Sequence, residues 1–126
     1  MLSVPYRAYR MQHSLTVKKG QYMVTVTFDP KTFTLKMKGH AGTDRICAAT
    51  SMVYYNLVGV ISDYPEGAFR SIKAQEGVNG KKVTMLKAVP KKEFRDYVEK
   101  DFYYALIGFK LLEDNYPDHV KLIVNI

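Results

Sequence analysis

Two long segments with helical periodicity restrict what this chain can fold into. In residues 44–62 and again in residues 92–114, apolar side chains recur at three- and four-residue steps, which predicts two helices that each bury one stripe. The predicted stripe of the first helix consists of Ile46, Ala49, Val53, Leu57 and Val60. The predicted stripe of the second helix consists of Phe94, Val98, Phe102, Ala105, Phe109 and Leu112.

The segments between the helices alternate between apolar and polar residues and predict strands. Residues 22–28 and 33–38 predict a hairpin around a turn at 29–32, and residues 68–75 and 82–89 predict a second hairpin. Asn79-Gly80 is typical of the tight turn of such a hairpin. Residues 120–126 predict a last strand, and its consecutive apolar residues indicate that it is covered on both faces.

The predicted order is therefore β-β-α-β-β-α-β. It indicates an α+β fold in which two long helices pack on a four- to five-stranded mixed sheet. A chain of 126 residues can form one such core without disulfides. We place the domain at residues 21–126. Residues 1–20 predict a basic N-terminal arm, which is either mobile, an added strand, or packed on a neighbour.

Cellular location and cofactors are predicted from absences in the sequence. No apolar run is long enough to cross a membrane, the N-terminus lacks a signal-peptide core, and the single cysteine cannot form an intramolecular disulfide, so we expect a cytoplasmic protein. His13 and His119 lack metal-ligand spacing, and the glycines form no phosphate loop. We therefore predict no cofactor and no metal.

The segment from Gly39 to Ser51 carries the candidate chemistry. It contains the only cysteine, Cys47, in the first turn of the first predicted helix, where free N–H groups and the helix dipole favour a thiolate. Thr43 or Asp44 is the predicted N-cap. We expect the backbone N–H groups of Cys47 and Ala48 to hold the oxyanion of a tetrahedral intermediate.

His40 is the candidate base for this nucleophile. It follows the second predicted strand, and a short loop with Gly42 can bring its imidazole to the sulfur of Cys47. Asp44 either orients His40 or caps the helix, and its charge opposes a thiolate. Ser51, one turn beyond Cys47, can donate a hydrogen bond into the site. In the opposing interpretation, Cys47 is an inert buried side chain.

A family resemblance favours the catalytic interpretation. Gly39-His40-Ala41 followed by Asp44-Arg45-Ile46-Cys47-Ala48-Ala49-Thr50-Ser51 resembles the signature of the ribosomal-processing cysteine proteases, the Prp family, and residues 111–120 are similar to its closing helix and last strand. The resemblance implies Cys47 as nucleophile, His40 as its partner, Asp44 and Ser51 as supporting residues, and a homodimer. It also implies a protein substrate with an N-terminal leader, either large-subunit ribosomal protein twenty-seven or, for phage relatives, a capsid or scaffold protein. The loop from His40 to Cys47 is shorter than the glycine-rich flap of the family.

The charge of the chain supports a second interpretation. There are 19 Lys and Arg residues against 12 Asp and Glu, a net charge of +7. A basic surface favours association with RNA or a ribosomal particle, so the second hypothesis is a non-catalytic binding module. The lysines alternate along the predicted strands, a pattern that is also typical of a solvated face. A third hypothesis is a structural protein of this fold that has lost activity.

Overall fold

The computed structural model describes residues 22–77 and 83–125, and the predicted order of elements is confirmed there. The strands are β1 (Val24–Asp29), β2 (Thr34–Gly39), β3 (Phe69–Gln75), β4 (Val83–Pro90) and β5 (Val120–Val124). The helices are α1 (Asp44–Ser62) and α2 (Arg95–Asn115), and a short 3₁₀ turn (Lys92–Phe94) precedes α2. The N-terminal arm predicted for residues 1–20, and residues 78–82 at the second hairpin, lie outside the described residues.

The five strands form one mixed sheet in the order β3-β4-β2-β1-β5. Strand β1 pairs antiparallel with β2 and parallel with β5, whereas β2–β4 and β3–β4 are antiparallel. The parallel pair is possible because α2 returns the chain to the starting end of β1. The predicted α+β fold with a mixed sheet is confirmed.

The turn between β1 and β2 follows the predicted chemistry, but the second strand begins one residue later than predicted. The backbone N–H of Lys31 donates to the Asp29 carboxylate at 2.9 Å, as expected for an aspartate that closes a turn. Phe33 has a φ of 51°, so it belongs to the turn rather than to the strand. The alternation of apolar and polar residues predicts Phe33 as part of β2. Its side chain is buried like that of a strand residue, but its backbone forms the turn.

Both helices pack on one face of the sheet and build the core there. Alternate residues of β1 (Val24, Val26 and Phe28) are buried against them. Phe102 of α2 stacks on the Phe28 ring, with 5.0 Å between the ring centroids, and meets the edge of Phe33. The predicted stripe of α2 is confirmed: its four central members are buried, and the two end members pack partly buried against the core.

The buried stripe of α1 is partly different from the prediction. Ile46 and Leu57 are buried as expected, but Val60 is exposed. The other buried residues of this helix are Thr50, Tyr54 and Ile61. The helix turns this set towards the sheet, where the Tyr54 hydroxyl donates to the Met85 carbonyl at 3.2 Å. The periodicity predicts the helix but not which side of it is buried. Thr50 and Tyr54 are not part of the predicted apolar stripe, yet both are buried because their hydroxyl groups form hydrogen bonds within the protein.

The prediction that the last strand is covered on both faces is wrong. Strand β5 lies at the edge of the sheet, and its Ile123 and Val124 side chains are exposed. Consecutive apolar residues are typical of a strand with both faces covered, but here Ile123 pairs with Thr27 on the face opposite to the helices and remains exposed. Neither described helix combines the length and apolar character needed to cross a membrane.

Candidate active site

Two glycines shape the loop that carries His40. Gly39 ends β2 with a φ of +103°, and Gly42 follows His40 with a φ of +82°. Both values lie in the region that glycine adopts without strain. A Cβ atom at position 39 would lie 2.1 Å from the carbonyl oxygen of Met23, and one at position 42 would lie 2.7 Å from the Tyr22 side chain. The backbone therefore leaves the sheet sharply at this point and turns His40 towards the start of α1.

The loop brings His40 and Cys47 together, as the sequence predicted. The Cys47 sulfur lies 3.7 Å from Nδ1 of His40, within the range of a sulfur hydrogen bond. The backbone N–H of Gly42 donates to the same nitrogen at 2.9 Å. Nδ1 therefore carries a lone pair rather than a proton in this arrangement. An unprotonated Nδ1 beside the thiol can accept the thiol proton.

The start of α1 places the cysteine but does not leave its amide free. Thr43 is the N-cap, and its hydroxyl oxygen accepts from the Ile46 N–H at 3.2 Å. The Cys47 N–H donates to the Thr43 carbonyl at 3.1 Å. This hydrogen bond engages the Cys47 amide within the helix, and the oxyanion role expected for the amides of Cys47 and Ala48 stays a prediction. Cys47 is the fourth residue of the helix, where regular helical bonding begins, and the same geometry directs the Ala48 N–H at the Asp44 carbonyl.

The two predicted supporting residues occupy different positions in the site. Asp44 is the first residue of α1 and is exposed. Among the described residues it makes no hydrogen bond to His40, and the capping role falls to Thr43. Ser51 lines the same cleft as Cys47, but no hydrogen bond joins the two side chains in the described part of the chain. The structure thus brings His40, Cys47 and Ser51 to one cleft, whereas Asp44 is not among the residues that line it.

The cleft itself is small and half apolar. It has a volume of about 160 Å³. Its walls are formed by Val24, Met37, Gly39, His40, Cys47, Thr50, Ser51 and Thr84. His40 is exposed and Cys47 is half-buried, so a ligand can reach the sulfur from solvent. A cleft of this size fits one side chain and leaves the remainder of a peptide on the surface.

His119 is a residue of this region whose role the sequence did not indicate. It lies just before β5 and is buried. Its Nδ1–H donates to the Ala41 carbonyl at 2.6 Å, and its own carbonyl accepts from the Val24 N–H at 2.8 Å. The side chain therefore connects the last strand to the loop that carries His40. His119 and Ala41 are 78 positions apart in the sequence, so no local pattern indicated their contact.

Thr50 is a second residue that sequence reasoning missed. It is buried one turn below Cys47, and its hydroxyl lies 3.1 Å from the Ile46 carbonyl and 3.0 Å from the Cys47 carbonyl. The hydroxyl group is therefore hydrogen-bonded within α1, and Thr50 lines the cleft. Within residues 22–77 and 83–125, no group of three His, Cys, Asp or Glu side chains is placed to hold a metal ion.

The fold and the site together define a two-layer α+β protein with a Cys–His pair where the sheet meets the first helix. No protein-family model matches the chain, and no curated protein matches its sequence.

Solved structures share this fold. A ribosomal processing protease Prp from S. aureus, in complex with a covalently linked product peptide, superposes with a TM-score of 0.63 at 20% identity, over 83% of this chain and 100% of that chain. The same protease with a substrate peptide gives a TM-score of 0.59 at 17% identity, over 83% of this chain and 100% of that chain. The SMU.848 protein from Streptococcus mutans gives 0.61 at 21% identity, over 82% and 97% of the two chains. At these identities the likeness establishes the fold.

Proposed function

We propose that this protein is a cysteine endopeptidase that uses Cys47 as nucleophile and His40 as its base. The observation that carries the proposal is the distance of 3.7 Å between the Cys47 sulfur and Nδ1 of His40. A thiol within reach of an unprotonated imidazole nitrogen is the arrangement that activates a cysteine. The likeness to a protease structure that holds a peptide supports the same reaction class.

In the proposed reaction, Nδ1 takes the thiol proton and the thiolate attacks the peptide carbonyl. The imidazolium then gives its proton to the leaving amine, and water hydrolyses the acyl-enzyme. Proton transfer to Nδ1 ends the hydrogen bond from Gly42, because a protonated Nδ1 has no lone pair. The Gly42 N–H then becomes a donor beside the reacting group, whereas the Cys47 amide stays bonded to Thr43. Asp44, at the exposed start of α1, and Ser51, on the wall of the cleft, are proposed to support the site.

The substrate we propose is a protein with a short N-terminal leader, handled in the cytoplasm. The leader of large-subunit ribosomal protein twenty-seven is the first candidate, because the structural likeness is to a ribosomal processing protease. A phage capsid or scaffold leader is the second candidate. The small cleft supports recognition of one side chain next to the scissile bond.

Mass spectrometry of leader-bearing proteins tests this function. The wild-type chain should cut one candidate at a single bond, and Cys47→Ala and His40→Ala should leave it intact. Cys47→Ser should also be inactive but should unfold at the temperature of the wild type, because the change is nearly isosteric. If no candidate is cut, and iodoacetamide does not label Cys47 in the folded protein, the peptidase proposal fails and the binding-module hypothesis takes its place.

We also propose that the protein is a homodimer through the outward face of the helix pair. A groove of about 430 Å³ runs between α1 and α2, and Met52, Val60 and Tyr104 on its walls are exposed. Exposed apolar groups that are grouped in this way mark an interface, and the resemblance implies a second copy as the occupant.

Sedimentation equilibrium tests the dimer. The wild type should sediment with twice the chain mass, and Tyr104→Glu should sediment as a monomer because it places a charge in the proposed contact. Ile72→Glu is the matched control, since Ile72 is also an exposed apolar residue, on β3 and outside the groove. A wild type that sediments as a monomer, or an equal effect of the two variants, would disprove this interface.

A further inference from the structure

The face of the sheet opposite to the helices is strongly basic. Residues that are paired across neighbouring strands lie on the same face of the sheet. The register of the four strand pairs places five lysines on the face opposite to the helices. They are Lys36, Lys38, Lys73, Lys87 and Lys121. We refer to these five side chains as the lysine face. Asp29 is the only acidic residue that the described strands place on the same side.

No acidic side chain of the described residues forms an ion pair with a lysine of this face. All three ion pairs of the described residues lie on α2 and none involves these lysines. Lys73 and Lys87 are direct cross-strand partners, an arrangement that destabilises a sheet through repulsion. Four of the five side chains are exposed, and Lys87 is half-buried. The fold therefore holds together a set of cations that repel one another.

We propose that the lysine face binds the phosphate backbone of a double-stranded nucleic acid. With strands about 4.8 Å apart, the lysines cross the whole sheet from β5 to β3 over roughly 20 Å, a distance that spans several successive phosphates of a duplex. Thr25 and Thr27 lie between them in register with Lys38 and Lys36, and hydroxyl groups are common phosphate donors. A bound polyanion removes the repulsion that the folded sheet otherwise retains.

The composition of this face favours nucleic acid over an acidic protein. The centres of protein–protein interfaces are depleted in lysine and enriched in aromatic residues, whereas surfaces that bind nucleic acid are much more positive. The described strands place no aromatic side chain on this side of the sheet. Bases therefore find no ring to stack on, so binding is to the backbone and independent of sequence.

The chain's own first residues are not suited to cover this face. Residues 1–20 contain Arg7, Arg10, Lys18 and Lys19 and no acidic residue. Charge repulsion therefore opposes their docking on the lysine face. The inference is independent of the proposed peptidase reaction, because the lysine face and the Cys47 cleft lie on opposite sides of the sheet.

Fluorescence anisotropy with a labelled DNA duplex and an RNA duplex of equal length tests the proposal. The full-length Cys47→Ala protein is used, so that peptidase activity plays no part. We expect both duplexes to bind, with log Kobs falling against log salt with a slope of about −4 to −5, since each of the five lysines contributes about −0.9. Lys36→Gln/Lys38→Gln/Lys87→Gln should reduce the magnitude of the slope by about three and weaken binding at low salt by about tenfold or more.

The matched control removes the same charge from the other side of the molecule. Lys91→Gln/Lys92→Gln/Lys100→Gln changes three exposed lysines near α2 and should keep nearly the full slope. Equal losses in the two triple variants would show a diffuse effect of net charge and would overturn the proposal. Binding of polyglutamate that depends on the lysine face, with no binding of either duplex, would assign the face to an acidic protein and would also overturn it.

Discussion

His119→Leu is expected to slow alkylation of Cys47 at least tenfold while the protein still folds. The leucine removes the N–H donor that holds the buried Ala41 carbonyl, and Ala41 is the neighbour of His40 in the loop. Leaving that carbonyl without its donor costs about 1–3 kcal/mol, so a lower melting temperature is also expected. The loop then relaxes, and the imidazole no longer stays within reach of the sulfur. The rate of iodoacetamide labelling measures this directly, since Cys47 is the only cysteine.

His119→Asn is the control that separates positioning from general stability. An asparagine carries its amide nitrogen at the same distance along the side chain as Nδ1 of histidine, so it can keep the donor to Ala41. It is smaller and leaves a cavity, so it should lower the melting temperature as well. We expect it to retain most of the labelling rate of the wild type. Labelling of folded His119→Leu at the wild-type rate would exclude a positioning role.

Gly39→Ala should lower the free energy of unfolding by about 2 kcal/mol or more. Its Cβ would lie 2.1 Å from the Met23 carbonyl oxygen, which is part of the backbone and cannot move away alone. The left-handed backbone at this position adds strain for any side chain. Relief requires the end of β2 to separate from β1, and this shifts His40. Urea unfolding measures the stability, and alkylation of Cys47 reports the shift.

Gly59→Ala provides the opposite result in the same protein. Gly59 lies inside α1 and is exposed, and a Cβ atom there meets no other atom within 4 Å. Alanine is the better helix former, so this variant should gain about 0.5–1 kcal/mol. It should not change the reactivity of Cys47. If Gly39→Ala is as stable as the wild type, the tight backbone approach at the end of β2 is not a requirement of the fold.

The candidate site shows which parts of a site can be predicted locally. His40 and Cys47 lie seven residues apart, so one strand end, one short loop and one helix start are enough to bring them together. Each of those elements has its own sequence pattern. To predict which backbone N–H groups at the start of α1 are free, the position of Cys47 in the helix must be known to within one residue. The sequence does not distinguish Thr43 from Asp44 as the N-cap. Because Thr43 is the N-cap, Cys47 is the first residue whose N–H is bonded within the helix.

Some features of the sequence had two interpretations that only contacts could separate. Val60 fits a helical apolar stripe, yet it faces the outer groove, whereas Tyr54 is buried because its hydroxyl reaches a strand carbonyl. Lysines at alternate positions predict a solvated strand face. Their grouping into the lysine face appears only when the register of four strand pairs is known.

By itself, the sequence determined the order of elements, the extent of α1, the mixed α+β fold and the proximity of His40 to Cys47, because each depends on periodicity or on short stretches of chain. The tertiary structure decided the rotation of α1, the edge position of β5, and the hydrogen bond from His119 to the loop of His40. These depend on which surfaces and polar groups meet across long separations in the chain. No local sequence pattern predicts these contacts, because they result from the packing of the whole core.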